Sequence, residues 1–160
     1  MFAASLLPAK DDLALDNVQV EGQSKTITVY VSTTQPRATC PTCHEESGHV
    51  HSHYQRTLLD LPWADYAVHL CWTVRRFFCD NPPCKRLTFA EGLPAVATRY
   101  GRKTVRRLQK QEAIAFEAGG EPGRRIVTIS GLATSADGLL RLIRAQPMSI
   151  VPTPRVLGGG

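Results

Sequence analysis

No run of 18 or more apolar residues occurs in the 160-residue chain, so no segment reads as a membrane-spanning helix. The opening stretch Met1 to Ala9 carries no base and no small-residue cleavage site, unlike a secretory leader. A soluble cytoplasmic protein is expected. A Walker-type phosphate loop and a dinucleotide fingerprint are both missing, which removes nucleotide-driven chemistry from the expectation. Asp60, Asp65, Asp80 and Asp137 lie scattered, and no spacing pairs two carboxylates in a metal-binding context, so no catalytic residue is assigned. Internal repeats and low-complexity tracts are absent too.

What is present is ordinary in bulk and uneven in detail. Hydrophobic residues make up 42% and charged residues 21%, a globular composition in a chain long enough for one domain or two small modules. Nineteen bases face fourteen acids, for a formal charge of +5. Residues 1–35 hold two bases and four acids, whereas the remainder holds seventeen bases and ten acids. That basic remainder favours a polyanionic partner.

Five cysteines, Cys40, Cys43, Cys71, Cys79 and Cys84, make an odd count that argues against a disulfide framework. Cys40-Pro-Thr-Cys43 and Cys79-Asp-Asn-Pro-Pro-Cys84 are instead two short turns, each able to offer two thiolates to one ion. Four sulfurs at about 2.3 Å complete a tetrahedral Zn2+ shell with no place for water, which makes the expected metal structural. A redox dithiol at Cys40 and Cys43 would call for a βαβ setting that the sequence lacks. Pro41, Pro82 and Pro83 stiffen both turns, and a strand-like run from Val68 to Phe78 leads into Cys79. Cys71 lies within that run between Leu70 and Trp72 and reads as buried filler. His44, His49, His51 and His53 stand near the first turn and could each replace a cysteine as ligand, although four sulfurs already suffice for the shell.

The expected fold class is α+β, a β-rich zinc ribbon followed by a small helical helix-turn-helix module. Asn17 to Glu21 and Lys25 to Ser32 flank Gly22-Gln23-Ser24, predicting a hairpin within residues 1–35 with Ile27, Val29 and Val31 on one face. This hairpin is expected to lie against the ribbon of residues 36–94. In the ribbon, Val68, Leu70, Trp72 and Val74 share one face, with Thr73, Arg75 and Phe77 on the other. So small a β module draws much of its folding free energy from metal, about 10 to 16 kcal/mol in zinc-finger peptides.

Near residue 95 the apolar period changes from two to 3.6, opening a helical region expected over 95–148. Around residues 102–117 a helical wheel gathers Val105, Leu108, Ala115 and Phe116 on one arc. Arg102, Lys103, Arg106, Arg107 and Lys110 fall opposite, with Glu112 and Ile114 out of place. A second segment, Arg124 to Ser130, contains the β-branched run Ile126 to Ile129, which suits a strand as well as a helix. After Gly131 a third segment, Ser135 to Arg144, has a capping Thr134 or Ser135, an Asp137 near its positive end, and a stripe of Leu139, Leu140 and Ile143. Arg141 and Arg144 then point outward, the layout of a helix-turn-helix whose second helix enters the major groove.

Five strings now stand together: Cys40-Pro-Thr-Cys43, Val50-His51-Ser52-His53-Tyr54-Gln55-Arg56, Leu59-Asp60-Leu61-Pro62-Trp63, Val74-Arg75-Arg76-Phe77-Phe78-Cys79-Asp80-Asn81-Pro82-Pro83-Cys84, and Thr88-Phe89-Ala90-Glu91. Together they resemble the N-terminal part of bacterial insertion-sequence transposases of the IS-L-three family. The resemblance implies zinc on Cys40, Cys43, Cys79 and Cys84, and a helical half that recognises the terminal inverted repeats of the element. It also implies that a stretch like Thr153 to Gly158 leads into an RNase H-like domain with a D-D-E triad. Residues 149–160 thus read as the start of that domain, and these 160 residues are not expected to cut or join DNA by themselves. The leading expectation is a fragment that binds double-stranded DNA at transposon ends. Arg102, Lys103, Arg106, Arg107 and Lys110 would neutralise phosphates, and Arg141 and Arg144 would reach base edges. The alternative is a protein-interaction module that forms mixed subunits with full-length transposase or with another copy of itself.

Overall fold

Period-two alternation becomes strand wherever the sequence carries it. The computed structural model describes residues 6–145. Strands β1 (Leu13–Glu21) and β2 (Thr26–Thr33) pair antiparallel across the Gly22-Gln23-Ser24 turn, and Ile27, Val29 and Val31 are all buried. Strands β3 (Ala38–Thr39) and β4 (Glu46–Ser47) form a separate small ladder. Strand β5 (Val50–Leu59) runs antiparallel to β6 (Ala67–Phe78), and β7 (Thr88–Ala90) pairs with the far end of β6 from Arg76 to Phe78.

The long strand β6 is the spine. Its first half pairs in parallel with β2, Thr26 opposite Ala67 and Ser32 opposite Thr73, giving the order β1-β2-β6-β5. The N-terminal hairpin therefore joins the same sheet edge to edge. Val68, Leu70, Trp72 and Val74 of β6 pack with Val29, Val31 and Leu58 into the main core, with Leu7, Leu13, Val96 and Ala97 closing over it. Burying each such aliphatic side chain stabilises by about 1.5–3 kcal/mol. Phe77, on the other face of β6, packs with Phe89 and Cys40 in a second cluster, so one strand serves both the sheet core and the cysteine turns.

Three helices follow among the described residues: α1 (Val105–Ala118), α2 (Gly120–Ile129) and α3 (Ala136–Arg144). Thr104 caps α1 and Ser135 caps α3, each side-chain oxygen accepting from a first-turn backbone N–H. Gly119, at φ 70 and ψ −160, takes a positive-φ conformation open to glycine, which ends α1 and lets α2 begin at once. The β-branched run Ile126 to Ile129 is helical: tertiary packing overrides its propensity, because Val127 is buried with Ala115, Leu132 and Leu139. Gly131, at φ 67, turns the chain toward α3, and a Cβ there would stand 3.2 Å from Pro62.

The outward basic face expected of α1 needs correction. Arg107 is 3% exposed and Gln111 is fully buried, whereas Phe116 is 55% exposed. The wheel assumes that charge faces water, but α1 docks on the end of β5 through polar groups. Arg107 donates to the Asp60 carbonyl at 2.7 Å and to the Gly131 carbonyl at 3.4 Å, and Gln111 donates to the Leu132 carbonyl at 2.6 Å. The expected start of a catalytic domain at 149–160, and the end of the helical region at 146–148, lie outside the described residues.

Candidate metal centre

Two turns that flank the β5–β6 hairpin in sequence bring the cysteines together. In the first, the Cys40 amide donates to the Glu45 carbonyl at 2.8 Å and the His44 amide to the Cys40 carbonyl at 2.9 Å. In the second, the Cys79 amide donates to the Leu87 carbonyl at 2.9 Å and the Cys84 amide to the Asn81 carbonyl at 3.0 Å. The Arg86 guanidinium donates to Thr42 Oγ1 at 2.9 Å, tying one turn to the other. Ser47 Oγ donates to Asp80 at 2.8 Å and accepts from the His49 amide at 3.1 Å, which fixes the approach to Cys79 from the β4 side.

The sulfurs of Cys40, Cys43, Cys79 and Cys84 all lie within 4.8 Å of one another. Sγ of Cys40 is 4.0 Å from that of Cys84, and Sγ of Cys43 is 3.5 Å from that of Cys79. A sulfur tetrahedron around Zn2+ has edges of about 3.8 Å, so these separations fit a shared ion and are far too long for disulfides of about 2.05 Å. Zinc fits this donor set, four soft thiolates with no oxygen ligand, and all four cysteines are free. Cys71 is buried in the sheet outside the cluster. The histidines stay out of it as well. The rings of His49 and His51 pack on Phe78 at 4.8 Å, and His49 Nδ1 lies 3.4 Å from Asp80.

Four thiols this close cannot all ionise without a cation between them. Burial pushes the Cys40 thiol up, but the backbone N–H groups of Cys43 and Thr42 and the neighbouring sulfurs outweigh it, drawing the thiol down to about 6. At Cys79 the Asn81 N–H favours the thiolate, yet burial and the sulfurs of Cys43, Cys84 and Cys40 push the group up to about 12. A divalent ion resolves the conflict by stabilising every thiolate at once.

The basic residues divide sharply. Arg102, Lys110, Arg141 and Arg144 are exposed. Arg106 and Arg107 turn inward to Asp60, and the Lys103 ammonium donates to Gln111 at 3.1 Å. Partial burial, then the charge of Arg107, holds the Lys103 pKa below its ordinary value. Sequence reasoning missed Asp60 as a hub. Its signal was an acid enclosed by apolar neighbours in Leu59-Asp60-Leu61-Pro62-Trp63, a setting in which a carboxylate must find internal partners.

Residues 36–84 match the family described as the zinc-finger of transposase IS204/IS1001/IS1096/IS1165. The match covers both cysteine turns and the hairpin between them, and the three helices lie outside it. No curated protein and no solved structure matches the chain.

Proposed function

We propose that this chain is the DNA-recognition portion of an insertion-sequence transposase, held in shape by a structural zinc and directed at the terminal inverted repeats of its element. The observation that carries this reading is the convergence of Cys40, Cys43, Cys79 and Cys84 inside the segment that matches the transposase zinc-finger. Four sulfurs leave the ion no open position, so the metal fixes turns and does not activate water. Recognition falls to the helices. α2, the Gly131 turn and α3 form the helix-turn-helix of this reading, with α3 in the major groove. Arg141 and Arg144 are exposed on α3, and Arg102 is exposed just before α1. Arg141 lies 3.0 Å from Asp137 and would exchange that exposed pair for DNA. Lys110 is exposed on a groove to which α3 contributes no residue, so the DNA surface of this reading omits it.

The test is a mobility shift of the zinc-loaded chain on a duplex carrying the element's terminal repeat, against a shuffled duplex of equal length. Preferential binding that weakens as salt rises is expected, each phosphate contact contributing about −0.9 to the log-log slope. Equal affinity for both duplexes, or a flat salt response, would overturn the reading.

A further inference from the structure

On α1, Lys110 and Glu117 have neither an ion-pair nor a hydrogen-bond partner among the described residues. Both line a groove of about 200 Å³ between α1 and α2, whose other walls are Ala113, Ile114, Ala118 and Ile126. The floor is thus apolar, and Ile126 is 44% exposed in it. Phe116, 55% exposed, lies three residues from Ala113 and so flanks the same stripe of α1. An apolar floor between one base and one acid is poorly suited to the phosphate backbone, which would meet Glu117 as a like charge.

We propose that this groove is where a second copy of the chain binds, with α1 packed antiparallel on α1 of the other copy. The charge pattern is self-complementary in that arrangement and in no parallel one. A two-fold axis passing between Ala113 and Ile114 sets Lys110 of each copy opposite Glu117 of the other, making two ion pairs from two residues per chain. Within one helix the same two groups are separated by about 10.5 Å of rise and cannot satisfy each other. Ala113 beside the axis lets the helix axes approach to the close end of the usual 8–10 Å range. Phe116 and Ile126 then bury their exposed area on the two flanks of the seam.

The size of the surface sets its strength. A helix of 14 residues is about 21 Å long, and one such face plus the edge of α2 belongs with interfaces below about 1,200 Å² in total. Interfaces of that class are transient, so association in the micromolar range is expected. Two recognition modules on neighbouring DNA ends would be joined by such a contact without being locked together.

Sedimentation velocity of the zinc-loaded full chain, from ~10 to ~500 µM and without DNA, tests this directly. A weight-average mass rising from monomer toward dimer is expected. Lys110→Glu and Glu117→Lys, each placing like charges across both pairs, should each weaken association by about tenfold or more. The double variant Lys110→Glu/Glu117→Lys should restore it, because the swap re-creates both pairs only across two copies. A monomer at every concentration, or a double variant no better than the single ones, would overturn the proposal. Metal content and far-ultraviolet dichroism confirm that the variants are folded. The assay contains no DNA, so its failure is distinct from failure of the DNA reading.

Discussion

Arg106 holds Asp60 through two nitrogens, Nε donating to Oδ1 at 2.8 Å and Nη2 to Oδ2, where the end of β5 meets the start of α1. Asp60 is 1% exposed, and Thr104 Oγ1 donates to the same Oδ1 at 2.6 Å. The Asp60 carbonyl accepts from Arg107, whose other end reaches the Gly131 carbonyl in the turn before α3. The Leu59 amide donates to the Arg102 carbonyl at 2.9 Å and the Thr104 amide to the Leu59 carbonyl at 3.0 Å, so backbone and side chains dock the helices on the sheet together. Asp60 is therefore the joint between the metal-bearing sheet and the helical unit.

Replacing Asp60 with Ala strands the Arg106 guanidinium, which is only partly exposed, beside an emptied cavity. Losing one member of a buried pair costs about 3–5 kcal/mol, and that loss of unfolding free energy is expected in urea denaturation. Thr104→Ala, which removes one hydrogen bond and the α1 cap, should cost about 1–2 kcal/mol. Equal stability of Asp60→Ala and the parent chain would show that the joint contributes nothing.

The cysteines separate by role under substitution. Cys79→Ser should lower zinc from one ion per chain to a small fraction of that and loosen the turns around Phe77 and Phe89. Cys71→Ala, in the sheet and outside the sulfur cluster, should keep full metal content at a cost of about 1 kcal/mol or less. Metal analysis after gel filtration, paired with near-ultraviolet dichroism, checks both outcomes.

The spacing of the two cysteine turns and the alternation of β6 were legible because each depends on a short-range rule: two thiolates per turn, and side chains on opposite faces of a strand. The parallel pairing of β2 with β6 was not, since its partners lie about forty residues apart and no local pattern encodes them. The helix at Ile126 to Ile129 escaped propensity because packing opposes it: Val127 fills the helical core, and Gly123 of the same helix is buried. The inward turn of Arg107 escaped the wheel for a related reason. The backbone carbonyls of Asp60 and Gly131 give its guanidinium internal acceptors, which outweigh the tendency of charge to face water.

Zinc affinity should fall as pH falls, since binding requires thiolates and so releases protons. Without metal the Cys79 thiol, pushed up to about 12, is protonated throughout the neutral range and must lose its proton on binding. This alone makes the apparent affinity drop about tenfold for each pH unit of acidification. Below about 6 the Cys40 thiol takes up a proton as well, and the dependence steepens. Competition against a chelator of known proton stoichiometry, stepped between mildly acidic and mildly alkaline pH, measures the slope. A pH-independent affinity would contradict a thiolate site.

On DNA, the inward and outward arginines should behave as two different kinds of residue. Arg144→Ala, on the exposed side of α3, should leave stability within about 0.5 kcal/mol of the parent. It should also reduce discrimination between terminal repeat and shuffled duplex by about 1–3 kcal/mol, the worth of a good contact to a base edge. Arg102→Ala should weaken both duplexes alike and make the log-log salt slope shallower by about 0.9, because one fewer phosphate is neutralised. Arg107→Ala should instead lower unfolding stability while leaving the salt slope unchanged, because its charge is spent on the carbonyls of Asp60 and Gly131. Measuring slope, discrimination and stability for all three variants separates side chains that touch DNA from those that hold the helices in place. A reduced salt slope for Arg107→Ala at full stability would mean that its side chain leaves the interior when the duplex binds.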